Sequence, residues 1–495
     1  RRSWFMTAAI FVASLALYTA TLAPGLLWGG GDFAAYQTLA ALGKPNVEDG
    51  VFAHPLWVIL AHPFTRLPLR DPAWRANFAS AVFGAAALSL VFLCCQQVTR
   101  SKPVSLLATG ALAVSHTFWT YAVMPKVYSL NALLLTACIY LLLRWREKTQ
   151  DVYLYLAALL YGISFLNHLV MATAAPGFAA FIGLVLWQRR KSTPVLLPAL
   201  LACLSFGLGL TPLVYLSIRA GTAAGVGGAY VGFLKGLGYA LTHLSAWLKG
   251  IGWGILLGMY QFPLTAFAGL LGLYVLCRRD RAEGLLVLLA ILSTWAFLLG
   301  ALDPRAGGVY VWNLHYYLQA YVPFTLALAA GLQVLWVRFF QGNLRQIAAI
   351  ALTLLLPVLV YAAAPRIARA FISNLPDFRP LPGRDNLAYV LSPWKHHETG
   401  AREFGKEVLG TLPPNSVLFA DYSLWSIFNY LQVIEGARPD VILVKLDQDQ
   451  PAMIQEYRSN PNLFLADTYR YYDLEGIQRH FDIIPDGLIY RLVPK

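Results

Sequence analysis

The chain of 495 residues is 58% hydrophobic and only 13% charged, against roughly 45–50% apolar and 25% charged in soluble domains, which excludes an ordinary soluble enzyme. Its formal charge of +13 does not mark a nucleic-acid face, because the 38 Lys and Arg residues fall between apolar stretches. The five cysteines lie in or at the end of such stretches with no Cys-x-x-Cys pair, so neither a disulfide framework nor a zinc site is expected.

In chain order, windows free of Asp, Glu, Lys and Arg run over about 4–23, 76–98, 104–122, 127–143, 152–187, 195–218, 253–276, 284–302, 316–337 and 346–363. The window 152–187 is about 54 Å of helix at 1.5 Å per residue, whereas a hydrocarbon core of about 30 Å needs some 20 residues. It therefore counts as two short spans, and the total is eleven. Alternate turns carry the cations: Arg1-Arg2, Arg100 and Lys102, Arg144 to Lys148, Arg189 to Lys191, Arg278 to Arg281, then Arg338 and Arg345. Short cationic loops face the cytoplasm, so the N-terminus is expected inside, and the first span is expected to be retained as an anchor. Loops 24–75, 123–126, 219–252 and 303–315 then face outward, and an odd span count puts the tail on that side too.

The tail has a different composition. Prolines 376, 380, 382, 393, 413 and 414 punctuate it, charges return, and Ser416 to Ala420 and Val441 to Leu446 read as buried strands around a helix-length segment, Tyr422 to Glu435. The expected fold is thus a polytopic α-helical membrane part, residues 1–363, and a small extracytoplasmic α/β domain, residues 364–495.

The first outer loop brings a carboxylate close to the membrane exit, Asp32, after Gly29-Gly30-Gly31. Asp32 reads in two compatible ways. It is a favoured N-cap for a helix beginning at Phe33, and it is a general base placed to take the proton of an acceptor hydroxyl attacking a lipid-linked sugar phosphate.

The segments Gly30-Gly31-Asp32, Ala53-His54-Pro55-Leu56-Trp57, Trp74 to Ser80, Phe118-Trp119-Thr120, Val127 to Leu133, Tyr215 to Arg219 and Tyr316 to Tyr321 follow one another in an order that resembles the protein O-mannosyltransferase-like membrane family, a branch of the GT-C glycosyltransferase superfamily. In the tail, Pro414 to Ala420 and Glu435 to Val441 are similar to that family's outer domain, so the likeness runs from about residue 20 to 445. The resemblance implies a GT-C-like fold, a polyprenyl-phosphate sugar donor (mannose being the family default), and inverting transfer to a protein or glycan hydroxyl on the outer face. The catalytic acid it implies matches Asp32.

Two departures bear on mechanism. Family members commonly carry a second acid shortly after the Asp and a Glu before the Val-Tyr motif, where this chain has Ala35 and Lys126. A divalent cation needs several oxygen ligands, so no metal or other cofactor is expected. Lys126 instead suits the departing lipid phosphate, with a snorkelling interfacial lysine as the alternative. Arg219, at the outer end of its span, is a second candidate grip on phosphate, set against a headgroup contact. His168, near the turn of the 152–187 hairpin, is set between interspan hydrogen bonding and donor contact. His54 and His315 are further candidates for sugar or phosphate contacts. Glu48 and Asp49 read as a solvated loop.

The partners expected are the lipid-linked donor, the acceptor and membrane lipid. The setting expected is a bacterial cytoplasmic membrane with the active site on the periplasmic or exterior side. A transporter or flippase of lipid-linked sugars, and a non-catalytic glycan-assembly scaffold, are the alternatives. Charge asymmetry gives a direct test of topology. A cysteine placed at Ser423 is expected to react with an impermeant maleimide from the outer side, and reaction from the cytoplasmic side alone would reverse the orientation.

Overall fold

The long helices follow the charge-poor apolar windows, and Pro212, Pro323, Pro357 and Pro365 lie inside them without ending them. The computed structural model describes residues 2–29, 33–45, 54–191, 194–219, 221, 242, 244–301, 314–375, 378–447 and 449–495. Among them seven helices are long and apolar enough to cross a bilayer: Pro72–Thr99, Tyr128–Lys148, Leu169–Arg189, Leu196–Arg219, Arg281–Leu298, Leu314–Arg338 and Asn343–Arg369. A bent pair, Gly252–Gln261 and Thr265–Arg279, meets at 112° and makes an eighth candidate, as a broken span or a re-entrant loop. Pro263 lies in that break, where a residue without an N–H cannot continue the helical ladder. The protein is an integral membrane protein.

Three of the apolar windows expected to cross hold shorter helices. The first holds Trp4–Ala20, and the window 152–187 divides into Val152–Ser164 and a segment resuming at Leu169, as its length requires. The window 104–122 breaks at Val114 and Ser115 into Lys102–Ala113 and His116–Ala122. Helix crossings elsewhere are close. A Cβ on Gly272 would lie 1.7 Å from the Ala327 carbonyl oxygen, and one on Gly331 would lie 1.8 Å from that of Ala268. Only glycine admits such backbone contact between the helices Thr265–Arg279 and Leu318–Arg338.

The tail builds a five-stranded sheet from β1 (Val417–Ala420), β2 (Ile442–Lys445), β3 (Leu463–Leu465), β4 (Phe481–Asp486) and β5 (Ile489–Pro494), in the order β2-β1-β3-β5-β4. β1 is parallel to β2 and β3, and the helix Tyr422–Val433 makes the first crossover. Antiparallel β5 and β4 complete the sheet. Alternation along β1 sends Leu418 and Ala420 to one apolar cluster and Val417 and Phe419 to another. The first cluster also takes in Leu26, Trp28, Ala34 and Ala73 from the membrane part. The tail is therefore not strung on a linker but shares a core with the first outer loop.

Candidate functional site

The loop that follows the first helix is held by buried amides. Asn77 donates to the carbonyls of Ala23 (3.1 Å) and Gly25 (2.9 Å), and Gln37 donates to Gly25 (3.0 Å) and to the Asn77 side chain (2.9 Å). These bonds fix residues 23–25, from which the chain runs through Trp28 to Gly29. The helix expected from Phe33 is present as Phe33–Leu42. Asp32 lies outside the described residues, as do Glu48 and Asp49. Gly29 and Phe33, on either side of Asp32 in the chain, both line a cavity of about 500 Å³.

The cavity lies where the tail meets the membrane part. One wall is Lys126, His315 and the helix His116–Ala122; the other is Arg379, Arg384, Tyr389, Asp421 and Tyr471. The Lys126 ammonium sits over three rings, 5.2 Å from Phe33, 5.6 Å from Tyr36 and 5.8 Å from Tyr128, a cation–π setting that keeps the charge in a partly dry site. His315 stacks on Tyr128 at 4.5 Å, with Nδ1 3.3 Å from the Tyr121 hydroxyl.

His54 and His168 stand beside this wall without lining the cavity, stacked on one another at 4.7 Å. The His54 backbone is left-handed (φ 45°), and its Nδ1 lies 2.6 Å from the Asn167 carbonyl oxygen, so Nδ1 carries the proton. In His168 the roles reverse, because Nδ1 accepts the Val170 N–H at 3.0 Å. The structure thus gathers three of the residues nominated from sequence, Lys126, His168 and His315, around Tyr128, with His54 stacked on His168. Arg219 is not among them. It is exposed at the end of its helix, donates to the Tyr215 hydroxyl at 3.1 Å and does not line the cavity.

With this geometry in view, comparison with known proteins is informative. Residues 53–194 match the family model of the protein O-mannosyl-transferase TMEM260 N-terminal domain. The resemblance read from the motifs is borne out. The mouse protein O-mannosyl-transferase TMEM260 is 29% identical over 219 residues, which are 43% of this chain, and the match spans 30% of the length of that relative. Two crystal structures of ArnT from Cupriavidus metallidurans share the fold across nearly both full chains. The form bound to undecaprenyl phosphate has a TM-score of 0.58 at 12% identity, covering 98% of this chain and 97% of ArnT. The apo form has a TM-score of 0.60 at 11% identity, covering 100% and 98%.

The tail residues that line the cavity are what sequence reasoning missed. Arg379 is almost wholly buried, bonded to Asp421 (2.9 Å) and Asp467 (Nε 2.6 Å), and Asp421 also accepts from the Tyr472 hydroxyl (2.9 Å) and the Ser423 N–H (3.0 Å). Burial opposes the Arg379 charge, but the two carboxylates outweigh it and hold the guanidinium above its ordinary pKa. Arg384 donates to the Asn386 side chain (2.7 Å) and the Arg379 carbonyl (3.0 Å) over the Tyr389 ring. Behind the wall, fully buried Lys395 donates to the Ser392 carbonyl at 2.5 Å; burial pushes its pKa down to about 7, with Glu398 acting the other way. The one sequence signal for this wall was Asp421-Tyr422-Ser423, an N-cap after a strand.

Removing Arg379 leaves two carboxylates facing each other without a counter-charge. Arg379→Ala is expected to cost about 3–5 kcal/mol of local stability, read as lost hydrogen-exchange protection in β1. Unchanged protection would show that the network contributes nothing to the tail.

Proposed function

We propose that the protein is an inverting glycosyltransferase that moves one sugar, mannose by the family resemblance, from a polyprenyl-phosphate donor to a hydroxyl of a protein Ser/Thr or a glycan. The observation that carries this reading is the cavity that Lys126 and His315 share with Gly29 and Phe33, which lie on either side of Asp32 in the chain. The relative TMEM260 is named a protein O-mannosyl-transferase, and the ArnT fold is seen with undecaprenyl phosphate bound, both of which support a lipid-linked donor.

In the proposed reaction the Asp32 carboxylate takes the acceptor proton as the hydroxyl oxygen bonds to the anomeric carbon. The bond from that carbon to the phosphate oxygen breaks on the opposite face, which inverts the centre and releases polyprenyl phosphate. Lys126 stabilises the charge on the leaving phosphate, as a compact ammonium suits a phosphate oxygen. His315 contacts the donor, and His54 and His168 support that wall. Arg219, exposed at the outer end of its helix, suits a lipid headgroup better than the reacting phosphate. Counting the short helical segments as spans keeps the eleven-crossing topology, with the tail on the outer face, periplasmic if the membrane is a bacterial cytoplasmic one. The acceptor thus arrives from outside the cytoplasm.

Purified protein with radiolabelled polyprenyl-phosphate sugars tests this. Asp32→Asn keeps size and capping ability, so donor binding is expected to persist while turnover falls by roughly 10²–10⁴. Lys126→Ala is expected to lower donor affinity and turnover together. Wild-type protein that transfers from none of the donors, or full activity in Asp32→Asn, would sink the assignment.

Metal-independent transfer is part of the same proposal, because Ala35 and Lys126 stand where the family commonly places acids. Turnover is expected to survive EDTA. Loss restored by Mg²⁺ or Mn²⁺ would direct attention to Glu48 and Asp49.

A further inference from the structure

The helix His116–Ala122 is short, yet its start is fully secured from outside. The His116 N–H donates to the Tyr361 hydroxyl (3.0 Å) and the Thr117 N–H to the Gln261 side chain (2.7 Å), so two of the orphan donors of a helix start are satisfied by distant groups. Trp119 turns away from the cavity and donates its indole N–H to Thr21 at 2.8 Å. His116, Thr117, Thr120, Tyr121 and Met124 line the cavity, a spacing of i, i+1, i+4, i+5 and i+8 that is one helical face continued past its end.

On that face the polar side chains are not secured. Both imidazole nitrogens of His116 and the hydroxyls of Thr117 and Thr120 are buried without a hydrogen-bond partner, the Val390 backbone being near the imidazole. His116 is 2% exposed, Thr117 0% and Thr120 7%, so bulk solvent does not serve them. Four unpartnered polar atoms on one wall of one cavity are costly to the fold, and a ligand rich in hydroxyls relieves that cost. Rotation about one side-chain bond turns a threonine hydroxyl without moving the backbone. The charges of the cavity fit an uncharged ring. Its described carboxylate, Asp421, is occupied by Arg379, Tyr472 and Ser423, while Lys126 and Arg384 on the lining disfavour a cation.

We propose that this face, through His116, Thr117 and Thr120, reads the hydroxyl pattern of the donor's sugar ring. The inference rests on the glycosyltransferase reading above and adds to it the residues that distinguish a sugar-bearing lipid from the bare lipid phosphate. Lys126 grips what the two lipids share; the helix face contacts only what differs.

The test is binding of undecaprenyl phosphate, and of undecaprenyl phosphate carrying mannose or glucose, to the purified protein in detergent by calorimetry. Thr117→Val and Thr120→Val keep side-chain volume and remove one hydroxyl each, and His116→Gln keeps one polar end. Each is expected to weaken the preferred sugar-bearing lipid by about three- to tenfold while leaving the bare lipid unchanged. Because the hydroxyls have no partner in the fold, the valine variants are expected to melt no lower than wild type, which separates sugar contact from a structural role. Equal weakening of both lipids, no weakening of either, or an effect confined to the acceptor KM would overturn the proposal. A wild type that binds the bare lipid and gains nothing from either sugar overturns it while sparing the phosphate grip. A wild type that binds none of the lipids removes the donor reading and this inference with it.

Discussion

Trp28 is the joint on which the site depends. Its indole N–H donates to the Pro382 carbonyl at 3.0 Å, its own carbonyl accepts the Tyr389 hydroxyl, and its ring lies 5.4 Å from Phe404. Tail and first outer loop are thus tied on both polar groups of one buried residue, four positions before Asp32 in the chain. A buried indole N–H left without an acceptor is costly, so the tail cannot lift from this loop without exposing or orphaning it. Further bonds follow the same seam: the Lys395 N–H to the Thr21 carbonyl at 2.9 Å, and Arg402 to Asp71 at 3.3 Å. The cavity exists because the tail is held there.

Breaks in the apolar helices collect around the same place. Irregular backbone at membrane depth is tolerated where protein covers it or where it lines a cavity, since lipid offers no hydrogen bonds. At the Pro263 break, the freed carbonyls of Tyr260 and Gln261 accept the Tyr361 hydroxyl (2.9 and 3.2 Å), and the Gln261 side chain secures the start of the cavity helix. Between Ser164 and Leu169, the Asn167 amide donates to the Val127 carbonyl at 3.1 Å, one residue beyond Lys126. Asn131 donates to Gln319 at 2.7 Å and so ties the helix that begins after Lys126 to the one that begins after His315. The breaks are therefore load paths between Lys126, His315 and the histidine pair.

Much of this was written in the sequence, though not all of it as function. Charge-free windows and alternating cationic turns revealed the membrane part, and the tail's β-α-β unit showed in two apolar runs around a helix-length segment. Helix breaks inside apolar windows were harder to read, because Val114-Ser115 and Phe262-Pro263 barely change the composition of a window. Motif residues such as Asn77, Asn131 and Gln319 turn out to hold backbone in place rather than face the cavity. Lys126 and His315 were legible because an ionisable residue at a span's edge is conspicuous. Arg379 and Arg384 were not, since they lie in a proline-punctuated stretch without strand or helix pattern, and its docking depends on Trp28, 354 residues before Pro382.

The cations around the cavity divide by what opposes them. Arg379 is neutralised by two carboxylates and buried, the arrangement that positions a loop but leaves little charge for a ligand. Lys395 faces backbone carbonyls behind the wall and contributes mainly to packing the seam. Arg384 bonds to an amide and a carbonyl, which orient its planar fork, and the Lys126 ammonium lies over aromatic faces. Lys126 and Arg384 stand on opposite walls, one from the membrane part and one from the tail. The cavity's cations therefore come from both the membrane part and the tail, and only a tail docked at the Trp28 joint brings them to one space.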